Sequence, residues 1–328
     1  MVNLKLDLDS RSSSSCVAYA SYLVIERHKR KYGSLPRGVY FNKIMSLLYR
    51  KAKGEGFDIK LPHCWYRYGD EVVKYHMPQN VQWNHEDAYQ TIVSWQGFEP
   101  ENPSDSRLTR RLKQLLDELV DKYSEKNVNE AIEEVYSYAP FEFQRAYRKC
   151  KDSILDQMRT QVNWKNYAQD VVWPCIDSAC ASFPKKEFPE VAETLPVFRR
   201  LMEQVLVKDT SHPDYVLSKE LLEEFWEWFC YFLRVHPSAH ENVPRETIEF
   251  WRERLDWETE RYARILGDHI VQASFKDHSL DKDPVLGDAV ESRLKKASEE
   301  NDAISLFDDD FEGLEDFLKQ ARKRTSAR

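Results

Sequence analysis

The sequence contains little glycine and no long hydrophobic run. Of its 328 residues only 9 are glycine and 14 are proline. Scarce glycine disfavours the glycine-rich loops that hold phosphates in many nucleotide-binding folds, and no G-x-S-x-G elbow of a serine hydrolase is present. The most apolar stretch, residues 225–235, contains Glu227 and is too short to cross a bilayer. These absences exclude several common enzyme motifs and predict no membrane-spanning segment.

The chain also lacks C-x-x-C pairs and a dense cysteine framework, although it has 6 cysteines. Such sparse cysteine usage, together with a start that lacks the basic-then-apolar pattern of a signal peptide, predicts a cytoplasmic protein. Three pairs of metal-ligating residue types occur: His63 with Cys64, Cys175 with Cys180, and His236 with His240. A zinc site needs four ligands at short spacings, and none of these pairs has a recognisable second pair. We therefore predict no metal and no cofactor, and interpret these six residues as structural or incidental.

Charged and aromatic residues are abundant. Charged residues make up 32% and hydrophobic residues 41% of the chain, which excludes collagen-like and wholly disordered classes. The chain has 16 Phe, 17 Tyr and 9 Trp, so we expect its core to rest largely on aromatic rings. The formal net charge of -8 argues against a surface that coats nucleic acid as a whole. Partners that are polyanions would need a local basic patch.

Apolar residues recur at three- and four-residue spacing over most of the chain, which predicts a mainly α-helical fold. The predicted helices cover residues 17–32, 39–53, 108–123, 127–138, 141–158, 218–235 and 245–270. Strand is expected only at two places. Alternation from Val2 to Leu8 predicts either a frayed terminus or a strand that joins a sheet edge, and residues 65–77 predict a small winged β-hairpin.

Changes in composition and in hydrophobic periodicity along the sequence divide the chain into four parts. We predict an N-terminal arm at residues 1–16, a helical domain with the small hairpin at residues 17–160, and an aromatic-rich helical domain at residues 161–275. Residues 276–328 lose periodicity and become strongly polar, which predicts a mobile tail.

Three motifs in the N-terminal half resemble a known family. Residues 40–49 read YFNKIMSLLY, Leu61-Pro62 follows, and residues 65–73 read WYRYGDEVV. They resemble the Panacea family, also called SocA-like antitoxins, whose members carry a K-x-x-x-L-x-Y helix and an aromatic-x-Y-G-P-V segment. The similarity covers about residues 17–150, and Asp70 stands where the family has proline. The resemblance implies a mostly helical domain without known enzymatic chemistry that binds and restrains another protein, often a toxin.

The hairpin segment supplies the candidate partner-binding residues: Trp65, Tyr66, Arg67, Tyr68 and Asp70. Arginine and aromatic side chains dominate protein interfaces and also stack on bases. The alternative is that the rings fill the helical layer beneath the hairpin. We expect a protein partner at this patch, such as a toxin or another defence component.

A second candidate surface consists of the basic residues Lys29, Arg30, Arg50 and Lys51. Such a stripe could contact the phosphates of nucleic acid, although basic clusters are more often a solvated face. No catalytic residue is predicted, since the adjacent side chains of His63 and Cys64 diverge in any regular element. The leading hypothesis is a non-catalytic, antitoxin-like protein-binding regulator of a prokaryotic conflict or defence system. A winged-helix-type DNA-binding regulator is the second, and an enzyme without a sequence motif is the third.

Overall fold

The computed structural model describes residues 2–87, 90–160, 164–206 and 215–276, and it confirms a mainly α-helical chain with small antiparallel sheets. The chain divides into two compact units. Unit 1 comprises residues 1–140 and 236–243, and unit 2 comprises residues 141–235 and 244–328. The first unit thus ends before the predicted boundary at residue 160 and includes a short segment that returns from much later in the chain. The predicted tail lies outside the described residues from residue 277 onward.

The described residues of unit 1 form four α-helices, α1 Val2–Tyr32, α2 Gly38–Gly54, α3 Ser106–Lys122 and α4 Val128–Ser137. Helix α3 begins after Asp105, whose carboxylate accepts hydrogen bonds from the backbone N–H groups of Arg107 and Leu108. This N-cap satisfies donors that the first helical turn leaves open. The leucine stripe of α3 is buried, as its spacing predicts.

For residues 2–8 the sequence left a frayed terminus and a strand as alternatives, and the strand is wrong, because α1 begins at Val2 and runs without interruption to Tyr32. The alternating pattern there is built from leucine, lysine and aspartate and contains only one β-branched residue, Val2. Leucine and lysine favour helix, whereas strands are enriched in β-branched and aromatic residues. No glycine or proline separates this segment from the following helix, so the helix extends through it.

Unit 1 also holds two small sheets. The first has the strand order β2-β1-β5, all antiparallel, from β1 His63–Tyr66, β2 Gly69–Val72 and β5 His240–Glu241. The β1–β2 pair is the predicted hairpin. The second sheet, β3 Val81–Asp87 with β4 Gln90–Trp95, was not predicted. Its sequence signal is the β-branched run from Thr91 to Val93.

Unit 2 is built from helices in its described part. They are α5 Glu142–Arg159, α6 Trp164–Tyr167, α7 Trp173–Ala181, α8 Pro189–Leu206, α9 Tyr215–Val235 and α10 Arg245–Lys276, with a π-helical turn at Ala168–Val172 between α6 and α7. The predicted burial of the aromatic residues of α9 is confirmed, and Phe225 and Phe229 are both 0% exposed. The Phe225 ring stacks on Phe198 at 4.1 Å between centroids, and Trp226 stacks on Tyr147 at 5.5 Å.

Candidate binding site

The β1–β2 hairpin presents Tyr68 at its turn. The strands close on the pair Tyr66 and Gly69, so Arg67 and Tyr68 form the two-residue connection. Gly69 has φ +94°, and a Cβ at this position would lie 2.9 Å from Cε2 of Tyr136 on α4. Only glycine adopts this conformation and tolerates this approach without strain. The turn is therefore tightly seated against α4, and Tyr68 remains 62% exposed.

The carboxylate of Asp70 attaches the hairpin to α2. Asp70 is 0% exposed and accepts hydrogen bonds from Ser46 Oγ at 2.8 Å and Arg50 Nε at 2.9 Å. Its other oxygen lies 2.6 Å from His63 Nδ1, and its backbone carbonyl accepts from Lys43 Nζ at 2.9 Å. Burial alone would raise the pKa of Asp70, but the His63 and Arg50 charges and these hydrogen bonds hold it well below its usual range. A proline, which the family pattern has at this position, could supply none of these side-chain contacts.

The network continues from His63 to the returning strand β5. His63 Nε2 lies 3.6 Å from Glu241 Oε2, and Glu241 also pairs with Lys53 of α2. Burial lowers the pKa of His63, but the charge and hydrogen bond of Asp70, with Glu241, raise it above the ordinary value. The interaction with His63 and the contact with Lys53 lower the pKa of Glu241 against the effect of burial. These contacts join α2, β1, β2 and β5.

This network is suited to holding charge and not to acid–base catalysis. Both ring nitrogens of His63 face carboxylates, and its side chain is 5% exposed. The Ser46 hydroxyl donates to the Asp70 carboxylate and not to His63, and the lowered pKa of Asp70 makes this carboxylate a weak base. A general base must reach the proton that it abstracts from a substrate, and this histidine is enclosed. The arrangement therefore supports a structural role for the buried charges.

The structure separates the predicted partner-binding residues. Trp65 is 2% exposed, Tyr66 is 7% exposed and Asp70 is fully buried, so these three lie inside unit 1. The Trp65 ring packs edge-on against Tyr136 at 5.4 Å between centroids, which matches the alternative in which rings fill the layer beneath the hairpin. The Arg67 guanidinium lies 5.4 Å from the Tyr66 ring. Tyr68 is the predicted residue that remains open to a partner.

The predicted basic stripe is divided as well. Lys29 and Arg30 are exposed in the last turn of α1. Arg50, in contrast, is bound to the buried carboxylate of Asp70, and Lys51 lies 3.4 Å from Glu134. Two of the four side chains thus already neutralise carboxylates of unit 1, which leaves them less available to phosphates.

A cavity of about 510 Å³ lies beside Tyr68 in unit 1. It is enclosed by the first turn of α2, the β1–β2 turn, the β3–β4 hairpin and the start of α4. Its lining includes Val39, Lys43, Tyr68, Lys74, Trp83 and Glu125. Val39 and Tyr68 are exposed, at 42% and 62% respectively, so the cavity has an open apolar rim.

The ammonium group of Lys74 lies over the Trp83 indole in the cavity wall. Lys74 Nζ lies 4.7 Å from the centroid of the Trp83 ring, a cation–π distance. Burial lowers the pKa of Lys74, while the nearby charge of Glu71 opposes this shift. Nε1 of Trp83 is buried and has no hydrogen-bond partner among the described residues.

Apart from Tyr68, the sequence did not identify these cavity residues. Trp83 and Lys74 lie in or next to segments without helical periodicity, and Glu125 sits in a short 3₁₀ turn between α3 and α4. Glu125 accepts a hydrogen bond from the backbone N–H of Arg37 at 2.7 Å, across 88 residues of sequence. Trp83 lies in this wall because it belongs to the β3–β4 hairpin. Since that hairpin was not predicted from the sequence, the cavity was not predicted either.

Within the ranges that the structure describes, no group of three or more His, Cys, Asp or Glu side chains is placed to hold a metal ion. Searching the described residues for a helix long and apolar enough to cross a membrane also yields none. Comparison with known proteins gave no match: no family model, no curated protein and no solved structure matches the chain. The Panacea resemblance therefore stays a prediction drawn from the sequence motifs.

Proposed function

We propose that this chain is a non-catalytic protein-binding regulator of the antitoxin-like kind, and that its partner binds at the cavity beside Tyr68. The observation that carries the proposal is the combination of an exposed Tyr68 and Val39 rim with the Trp83 ring in the cavity wall, where Lys74 Nζ lies 4.7 Å from the ring centroid. Interface anchors are typically aromatic side chains at the edge of a pocket that a partner side chain fills. The resemblance to SocA-like antitoxins supports the same class of function.

The combination of charged and aromatic side chains in the cavity lining also favours a protein partner. Lysine side chains at positions 43 and 74 and carboxylates at positions 71 and 125 line one space with Trp83. Protein interfaces combine aromatic anchors with a few charged groups that set register and specificity. A duplex-binding surface would instead present several unpaired cations, and Arg50 and Lys51 lie against carboxylates here.

The proposal is tested with one pair of exposed aromatic residues. Tyr68 lines the cavity, whereas Phe98 is 95% exposed and is not among the lining residues. A partner is captured from the native host with the full chain, purified and titrated against the Tyr68→Ala and Phe98→Ala variants by calorimetry. We expect Tyr68→Ala to weaken binding by about 2 kcal/mol or more, as for an interface anchor, and Phe98→Ala to bind like the unchanged chain.

Two results would contradict the proposal. The first is a purified partner that binds both variants equally, since the cavity rim would then play no part. The second is salt-sensitive binding to one DNA sequence that Lys29→Ala with Arg30→Ala weakens, with no protein captured. The antitoxin-like assignment is examined separately by co-expression, where the chain is expected to relieve growth inhibition caused by its partner.

A further inference from the structure

A short segment from late in the chain completes the first sheet of unit 1. Residues 236–243 lie between α9 and α10 in sequence, yet they belong to unit 1. Their strand, β5, pairs with the edge of β1 opposite β2, in the register His63 with Glu241 and Cys64 with His240. The segment is therefore attached to the sheet through a strand of only 2 residues.

Little apolar surface holds this segment in place. Ala239 is its one buried residue, and an alanine side chain contributes little hydrophobic stabilisation. Strands in proteins average about five to six residues, so a pairing as short as that of β5 adds few backbone hydrogen bonds. Regions with few buried apolar contacts open locally at low free energy. We therefore expect polar contacts to decide whether the segment stays attached.

The polar contacts of the segment converge on Glu241. Its carboxylate pairs with Lys53 of α2, and its Oε2 lies 3.6 Å from His63 Nε2. Next to it, Asn242 Nδ2 donates to the backbone carbonyl of Leu61 at 3.0 Å. Among these side chains, histidine is the type whose charge changes near neutral pH. The proton of His63 is thus the variable element of the attachment.

His63 is enclosed between two carboxylates from different strands. Its Nδ1 lies 2.6 Å from Asp70 Oδ1 of β2, its Nε2 faces Glu241 of β5, and its side chain is 5% exposed. From α2, the Tyr49 ring packs on the imidazole at 4.7 Å between centroids, and the Arg50 guanidinium binds Asp70. Burial and the Arg50 charge lower the pKa of His63, but the two carboxylates outweigh them and raise it above the ordinary value.

Loss of the His63 proton affects the two carboxylates differently. A protonated imidazole has an N–H on each nitrogen, so it attracts both Asp70 and Glu241. A neutral imidazole has one N–H and one lone pair. Because Asp70 is the closer carboxylate, the remaining N–H stays at Nδ1, and the lone pair of Nε2 then faces the Glu241 carboxylate. The attraction between β1 and β5 is lost, while the contact between β1 and β2 persists.

We propose that residues 236–243 form a proton-gated clasp: the segment stays on β1 while His63 is protonated and is released when His63 loses its proton. Release frees the backbone edge of β1 at His63 and Cys64, and an open strand edge can pair with another strand. This edge is therefore accessible only at the higher pH. The cavity beside Tyr68 is lined by none of residues 236–243, so the clasp is independent of the function proposed above.

The first test measures amide hydrogen exchange of the full chain by mass spectrometry between about pH 6 and about pH 8.5, corrected for intrinsic exchange. We expect the opening constant of residues 236–243 to rise with pH by at least about threefold in total, since one lost proton limits the rise to about tenfold per pH unit. The rise should level off above the midpoint at which His63 titrates by NMR. A smaller rise would overturn the proposal. Equal opening constants for residues 236–243 and for β2 would also overturn it, because the whole sheet would then open together.

The second test assigns the effect with three variants. Glu241→Gln removes the carboxylate at Nε2 and leaves Asp70 in place, so residues 236–243 should lose their pH dependence. His63→Gln should lose it as well. The matched control is His240→Gln, which changes the histidine beside Glu241 in β5 and should keep the pH dependence of the unchanged chain. Circular dichroism checks that the variants fold. A pH dependence that survives in Glu241→Gln, or that disappears in His240→Gln, would contradict the proposal.

Discussion

The two units use different means to fix their interiors. Unit 1 contains a chain of charges whose centre, Asp70 and His63, is buried and whose ends, Arg50 and Glu241, are partly exposed. Unit 2 also has a buried carboxylate, Glu258, which pairs with arginines, but its interior is packed mainly with aromatic rings around Phe143 and Phe229. A buried ion pair requires a specific orientation of its groups, and removing one partner costs much free energy. Packed rings tolerate more orientations, and their stabilising free energy is proportional to the apolar area that they bury. The charged network of unit 1 therefore fixes one position for the hairpin beside its cavity, whereas unit 2 is stabilised mainly by the burial of aromatic side chains.

The largest expected effect tests the aromatic side of this comparison. Phe229 is 0% exposed, and its ring lies 5.1 Å from Phe143 and 5.2 Å from Phe188. Phe229→Ala should lower the free energy of unfolding by about 3 to 5 kcal/mol, because it removes buried area and leaves a cavity. Urea denaturation measures the change. The control is Val216→Ala in the same helix, where the side chain is 61% exposed and a change within about 0.5 kcal/mol is expected.

A loss below about 1 kcal/mol for Phe229→Ala would show that the ring cluster does not support unit 2. The comparison between the units would then fail on its aromatic side. Native-state hydrogen exchange locates the effect, since the amides of α5 and α9 should lose protection in this variant.

The second prediction breaks the charged network of unit 1. Asp70→Asn removes the negative charge that faces His63 and Arg50 and leaves both cations without their shared counter-charge. Removing one partner of a buried pair typically costs about 3 to 5 kcal/mol. We expect a loss of that size by urea denaturation, with reduced amide protection in β1, β2 and α2.

An exposed ion pair in the same unit provides the control. Asp117 lies 3.1 Å from Arg27 Nε, and its side chain is 50% exposed. Asp117→Asn should change the unfolding free energy by only about 0 to 1 kcal/mol, since solvent screens the pair. Equal costs for Asp70→Asn and Asp117→Asn would mean that burial does not set the strength of the network.

The sequence was sufficient to predict α3 and α9 because their signals are local. The leucines of α3 and the aromatic residues of α9 recur on a helical period, and both helices lie where this period places them. The same reasoning failed at residues 2–8, where two-residue alternation of leucine was read as strand. Alternation alone does not distinguish a strand from a helix when the residues themselves favour helix.

The site was harder to predict because its contacts are distant in sequence. Asp70 meets Ser46 and Arg50 across 24 and 20 residues, and Glu241 reaches Lys53 across 188 residues. No spacing rule connects such positions. The motif match drew attention to the hairpin, but it could not show that Trp65 and Asp70 face inward and that Tyr68 faces outward. Burial of this kind is decided by tertiary packing.

The smallest predicted effect concerns pH and sharpens the comparison between the units. The pKa of His63 is raised in the folded chain, so the folded state binds more protons than the unfolded state at pH values between the two pKa values. The stabilisation from His63 is therefore complete below the unfolded pKa of about 6.5 and is lost as the pH rises through the folded pKa. Asp70 has the opposite sign, since its lowered pKa gives stability that is lost only in strong acid.

Amide protection of β1 and β2, measured as opening free energies between pH 5.5 and 8.5 at values ~1 unit apart, should fall with rising pH in the unchanged chain. His63→Gln should flatten this slope, whereas His85→Gln, which changes an exposed histidine of β3, should keep it. A slope that survives in His63→Gln would mean that another group titrates, and that the charged network of unit 1 does not depend on the protonated imidazole.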